Sequence, residues 1–187
     1  MTTVAVVFHS VTGTTKTLAR AIADGVKSEQ ASALELEIVG TDVVYGRYEN
    51  HRLLTQIEAA DALIMGSPTF MGSVTAQFKA FADASSEQWT ELRWADKLAA
   101  GFTIGSNYSG DQLSTIQYLG VLAAQHGMLW VGLDLAGGYE GDTPNRLGAQ
   151  SGLIACTRDD VVDPRDLQTA RYLGARVARL ANRFHSG

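Results

Sequence analysis

The sequence predicts an α/β fold, an open five-stranded parallel sheet with helices on both faces, and three observations carry that prediction. Short continuous apolar runs recur along the chain, as in strands buried on both faces. Amphipathic stretches with apolar residues three and four apart separate them. Polar, glycine-containing turns close most of the runs, and strands that alternate with helices in this way build parallel sheets.

Taken in order, Thr3 to His9 is the first buried strand, and it ends in the polar turn Ser10 to Thr15. Leu18, Ile22 and Val26, four apart, mark the first helix. Leu34 to Val39 alternates, as a strand nearer the sheet edge does, and Leu53, Leu54 and Ile57 mark a short second helix. Ala62 to Met65 is the third strand, closing at Gly66-Ser67-Pro68. Ala76, Phe78, Ala80 and Phe81 belong to the third helix, and Leu98 to Ile104 to the fourth strand. Asp111 is placed to cap a fourth helix running through Ile116, Leu119 and Leu122 to His126, with Gly127 as its stop. Met128 to Leu133 is the fifth strand, and a long glycine-rich loop, Asp134 to Arg158, follows it and is expected to act as a lid. Asp163-Pro164, a cap and a first-turn proline, opens the last helix.

Composition narrows the function. At 187 residues the chain is read as a single domain, 1–187, and 45% hydrophobic with 19% charged residues is neither disordered nor membrane-embedded. No secretory signal or membrane span is visible, so a cytoplasmic protein without membrane insertion is expected. The single Cys156 excludes a disulfide framework and cysteine-based zinc or iron–sulfur sites, and no metal is expected. A net charge of −5 without a basic run argues against nucleic acid. Nineteen glycines, about 10% against a usual 7%, need a reason. Five of them, Gly137, Gly138, Gly141, Gly148 and Gly152, fall in the expected lid.

In open parallel sheets ligands bind beyond the carboxyl ends of the strands. The loop Ser10-Val11-Thr12-Gly13-Thr14-Thr15 offers four hydroxyls and a run of backbone amides at a helix N-terminus, which suits a phosphate dianion; it equally suits a helix cap rich in serine and threonine. Gly13 stands alone, so no dinucleotide G-x-G-x-x-G exists, and Thr15 occupies the glycine position that a Walker A loop requires before Lys16-Thr17. Such a loop fits a phosphate that is held rather than transferred. Ser67-Pro68-Thr69-Phe70-Met71-Gly72 joins a rigid turn to two apolar side chains, and Gly105-Ser106-Asn107-Tyr108-Ser109-Gly110 puts an aromatic ring among hydrogen-bonding groups. Taken singly, Phe70 and Met71 read as core; together the two loops read as a clamp for a flat heterocycle.

These residues resemble the flavodoxin-like FMN proteins, and among them the tryptophan-repressor-binding-protein type of NAD(P)H:quinone oxidoreductase. The resemblance rests on Ser10-x-x-Gly13, on Ser67-Pro68-Thr69-x-x-Gly72 ahead of Gln77-x-x-x-Phe81, on Gly110-x-Gln112-x-x-Thr115-Ile116 leading to His126-Gly127-Met128, and on Ala170-Arg171-Tyr172-x-Gly174. It implies a flavodoxin-like fold and non-covalent FMN, with phosphate contacts at Ser10, Thr12, Gly13, Thr14 and Thr15. Isoalloxazine contacts are implied at Pro68, Thr69, Phe70, Met71 and Gly72 and at Gly105, Ser106, Asn107, Tyr108, Ser109 and Gly110. Trp89 matches a tryptophan that lines the nicotinamide and quinone site, or else packs beneath a loop; Trp94 reads as structural. A family histidine falls on Gln125, which hydrogen-bonds but does not titrate. His126 reads as a partner of its helix's C-terminal dipole. The segment Thr41 to Asn50 is shorter than in typical members, and Thr143 to Gly148 departs from their pattern.

The implied activity is two-electron transfer from NAD(P)H through FMN to a quinone-like acceptor by a homodimer or homotetramer, with Gln125 and Trp89 as candidate catalytic residues. The rival is a one-electron carrier between redox partners. Such carriers are strongly acidic around the flavin, and these loops are not.

Overall fold

The computed structural model describes residues 1–137 and 143–185; Gly138 and Gly141 lie outside the described residues. The elements are β1 (Thr3–His9), α1 (Thr14–Ser28), β2 (Ser32–Ile38), β3 (Val43–Val44), β4 (Arg47–Tyr48), α2 (His51–Glu58), β5 (Ala62–Pro68), α3 (Ala76–Ala84), α4 (Ser86–Thr90), β6 (Leu98–Gly105), α5 (Gln112–Gln125), β7 (Leu129–Trp130), β8 (Leu153–Arg158), β9 (Val161–Val162) and α6 (Pro164–His185). The main sheet runs β2-β1-β5-β6-β8-β9, with β7 also on β6. All its pairings are parallel except the hairpin β8–β9. The chain goes outward from β1 to β2 and then crosses back to β5, so the switch point of the sheet lies between β1 and β5.

Alternation along each strand feeds two cores, as the pleat requires. Val4, Val6 and Phe8 pack with Leu18, Ile22, Leu173 and Val177 of α1 and α6. Ala5 and Val7 pack on the other face with Phe78, Phe81, Trp94 and Leu119. Helices α1 and α6 touch backbone to backbone: a Cβ on Gly25 would lie 1.9 Å from the Arg171 carbonyl oxygen, and one on Gly174 2.0 Å from that of Ile22. The Ala170-Arg171-Tyr172-x-Gly174 motif is therefore a packing signature.

The α/β class and the parallel sheet hold, with more strands than five. Two segments share the fifth position: β7 pairs with Leu98 and Ala99, and β8 pairs with Phe102 to Gly105 of the same strand. The glycine-rich loop expected from Asp134 to Arg158 thus contains a strand. Buried Leu153 and Ala155 alternate with half-buried Ile154, but only over six residues behind Gly148 and Gly152, too short a pattern to stand out. Ahead of this strand, Asn145 is docked on α6, its amide donating to Thr169 Oγ1 at 2.7 Å. Two small hairpins were also hidden. Each turns on adjacent residues of positive φ, Tyr45-Gly46 (47° and 78°) between β3 and β4, and Asp159-Asp160 (54° and 57°) between β8 and β9. No described helix is long and apolar enough to cross a membrane.

Candidate functional site

The carboxyl ends of β1, β5, β6 and β8 surround a cleft lined by Val11, Thr12, Thr14, Thr15, Pro68, Thr69, Phe70, Ile104, Gly105, Ser106, Thr157 and Asp160. All three loops singled out by sequence contribute to it.

The first loop turns at Gly13, whose φ of +96° suits a residue without a Cβ. Gly13 is also the N-cap of α1 and has no side chain to cap the first turn, which is met by a side chain only from Ser10. Ser10 Oγ accepts from the Lys16 amide at 3.3 Å, and Lys16 Nζ is drawn aside to Glu37 at 2.5 Å. Thr15 is 1% exposed and its Oγ1 has no partner. A buried hydroxyl left unpaired costs about 1–3 kcal/mol, so a ligand oxygen supplied here has a partner waiting. The helix end, positive in its dipole and with the Thr14 and Thr15 amides ahead of the one that Ser10 takes, points the same way. This donor set fits the phosphate of FMN.

In the second loop Phe70 and Ser73 exchange backbone hydrogen bonds of 2.9 and 3.1 Å around Met71 and Gly72, which have φ of 48° and 75°. This tight turn pushes Phe70 and Met71 outward, to 50% and 102% exposed. They are not core; Phe70 lines the cleft, whereas Met71 projects away from it. Thr69 belongs to the cleft but its hydroxyl is spent, 2.8 Å from both Thr103 Oγ1 and Thr115 Oγ1. Behind it, Ser67 Oγ accepts from the Thr75 amide at 3.0 Å, and Thr75 Oγ1 meets His9 Nδ1 at 2.8 Å. Burial lowers the His9 pKa, with the Glu37 charge partly opposing.

The third loop divides. Gly105 and Ser106 face the cleft, whereas Asn107 and Tyr108 join Ser106 in an adjoining cavity, with Ser109 and Gly110 completing the turn. Gln112, wholly buried, donates from Nε2 to the Ala155 carbonyl at 2.9 Å and so ties this loop to β8. Asp111 stands at the N-cap of α5 in a left-handed conformation, and its side chain makes no capping bond. Sequence reasoning missed Thr157 and Asp160, because both belong to the hidden hairpin. It also missed Thr103, and it gave Thr115 only as a motif position; both look like ordinary strand and helix positions until the fold joins them through Thr69.

Trp89 and Gln125 do not reach this cleft. Gln88 and Arg93, either side of Trp89, bond to Glu58 at 3.1 and 3.0 Å, and Lys97 Nζ binds the carbonyls of Glu58 and Ala60 just before β5. Gln125 ends α5 beside Gly127, whose carbonyl accepts from the Asp96 amide just before β6. Both residues therefore sit at the amino edge, roughly 23 Å along β6 from the cleft at 3.3 Å per residue. His126, 2% exposed, lies under Trp94 with ring centroids 4.3 Å apart and meets Ser85 Oγ at 2.9 Å. Burial lowers its pKa to about 4, so it is neutral and carries no charge to the helix dipole. Trp94 is fully buried and structural. Among the described residues no group of three or more His, Cys, Asp or Glu is placed to hold a metal ion.

The comparisons with known proteins agree on the family. Residues 2–138 match the NADPH-dependent FMN reductase family. Flavodoxin FldP of Pseudomonas aeruginosa is 36% identical, with all of both chains covered. An NAD(P)H dehydrogenase (quinone) of Archaeoglobus fulgidus is 32% identical over 98% of this chain and 100% of its own. The crystal structure of a flavodoxin, WrbA-like protein from Agrobacterium tumefaciens superposes with a TM-score of 0.78 at 38% identity, covering 98% of this chain and 99% of that one. The chain thus belongs to the NADPH-dependent FMN reductase family, a family of FMN-dependent oxidoreductases, and has the flavodoxin-like fold.

Proposed function

We propose that the chain passes two electrons from NAD(P)H, through FMN held in the cleft described above, to a quinone-like acceptor. One observation carries this reading: the unpartnered Thr15 hydroxyl, the start of α1 behind its Gly13 N-cap and the half-exposed Phe70 ring lie around one strand-end crevice. In this reading Ser10 and Thr12 to Thr15 hold the phosphate, while Pro68 to Gly72 and Gly105 to Gly110 flank the ring. Bound FMN supplies the redox chemistry; the residues bind, orient and shield. Asp160 is the one ionisable group lining the cleft among the described residues, so protons are exchanged with water rather than through a dedicated acid.

The proposal includes a cytoplasmic homodimer or homotetramer of single-domain chains. Trp89 and Gln125, remote from their own cleft, would then serve a neighbour's.

Stopped-flow mixing of the FMN-loaded protein with NADH or NADPH, then with a quinone, tests the reading. Flavin absorbance is expected to bleach with either nucleotide alone and to return with the quinone. The full-length match to a protein named flavodoxin favours a second reading, a one-electron carrier. Bleaching that needs a separate reductase would select the carrier.

A further inference from the structure

Beside the cofactor cleft lies a second cavity of about 390 Å³ between the Ser106–Tyr108 loop, β8–β9 and the start of α6. The two cavities meet at Ser106 and Thr157, which line both. Its size is that of a small-molecule site. The Arg146 side chain forms part of the wall, 10% exposed and fixed by a two-pronged bond to Asp166 at 2.8 and 2.7 Å and by the Cys156 carbonyl at 3.1 Å. Its guanidinium lies over the Tyr108 ring, 5.9 Å from the centroid, and braces a side chain that is otherwise 68% exposed.

The charges here are not balanced evenly. Asp163 and Asp166 are engaged by Arg146 and Arg165. Arg158, exposed at the end of β8, makes no ion pair among the described residues, although it faces the same cavity. Of its two acidic neighbours in the turn, Asp160 lines the cofactor cleft instead. The cavity therefore offers an aromatic face on one wall and an uncommitted guanidinium on another, next to the place where a hydride donor must lie.

We propose that this cavity receives the adenosine end of NADPH, with the purine on Tyr108 and the 2′-phosphate on Arg158. The inference rests on the reading that NAD(P)H is the donor. Tyr108 offers the same stacking area to NADH and NADPH, whereas Arg158 meets a group that NADH lacks, so Arg158 sets the preference between them.

The test uses FMN-loaded protein and calorimetric titration with adenosine 2′,5′-bisphosphate and with AMP, which needs no turnover. The bisphosphate is expected to bind on the order of tenfold more tightly, a charged hydrogen bond's worth. Arg158→Gln abolishes that difference and Arg158→Lys restores part of it, while Tyr108→Leu weakens both nucleotides alike. In steady state, Arg158→Gln lowers the ratio of kcat/KM for NADPH over NADH by the same factor. Equal binding of the two nucleotides, or a preference that survives Arg158→Gln, overturns the proposal. So does an Arg158 effect confined to a carboxylated quinone, which would make the anion the acceptor's. If neither NADH nor NADPH reduces the flavin, the donor reading falls, and the titration still reports separately on whether the cavity binds the nucleotide.

Discussion

Thr15 carries a hydroxyl that the folded chain does not use. Valine has nearly the same shape without the hydroxyl, so Thr15→Val removes an unmet polar group from the FMN-free protein and a phosphate donor from the loaded one. The two effects have opposite signs. Thermal melting without FMN is expected to stay level or rise, while FMN affinity, followed by quenching of flavin fluorescence on binding, falls by about tenfold. Equal affinity in wild type and variant would take the hydroxyl out of the phosphate contact. At this scale the sequence was informative about chemistry and poor about direction. Thr69 stood in the right loop, yet its hydroxyl turns inward to Thr103 and Thr115, partners 34 and 46 residues away that no local pattern announces.

Among the elements, the joint between α5 and α4 is held by a neutral histidine. The pKa of His126 is about 4 in the folded chain against an ordinary 6.5. Between these values the unfolded chain binds a proton that the folded chain refuses, so stability is full above about pH 6.5 and is lost as pH falls. The loss levels off below about pH 4 at roughly 3 kcal/mol. Burial of His9 acts in the same direction. Urea unfolding across that range is expected to show the decline, and His126→Gln to flatten most of it; a decline unchanged in the variant would assign it to other groups. Strands β1, β5 and β6 were legible because burial on both faces leaves unbroken apolar runs. Strand β8 was not, since its register comes from β6, a strand some 50 residues earlier. Helix direction was legible too: in a parallel sheet a helix that leaves the carboxyl edge ends at the amino edge. Gln125, at the end of α5, belongs there on topology alone. Only the family resemblance drew it toward the flavin.

At the level of the whole molecule, the amino edge presents Trp89, Leu92 and Leu129 at 49%, 63% and 47% exposed. Contact with another copy would cover them and bring Trp89 to a neighbouring cleft. Light scattering of the FMN-loaded protein is expected to give a dimer or tetramer, and Leu92→Glu with Leu129→Glu to shift it toward monomer. Quinone turnover then falls further than FMN affinity does. A monomeric wild type with full turnover would leave Trp89 and Gln125 without a catalytic part.

The divided fifth position has a consequence for how such a protein can diversify. The chain departs from β6 after β7 and returns to the same edge of β6 as β8, so the intervening stretch is a detour whose length the sheet does not register. Arg146, which braces Tyr108, is carried by that detour, and Arg158 by the strand that ends it. A segment of this kind can be exchanged as a cassette, changing the wall of the second cavity while the strand ends that form the cleft keep their places.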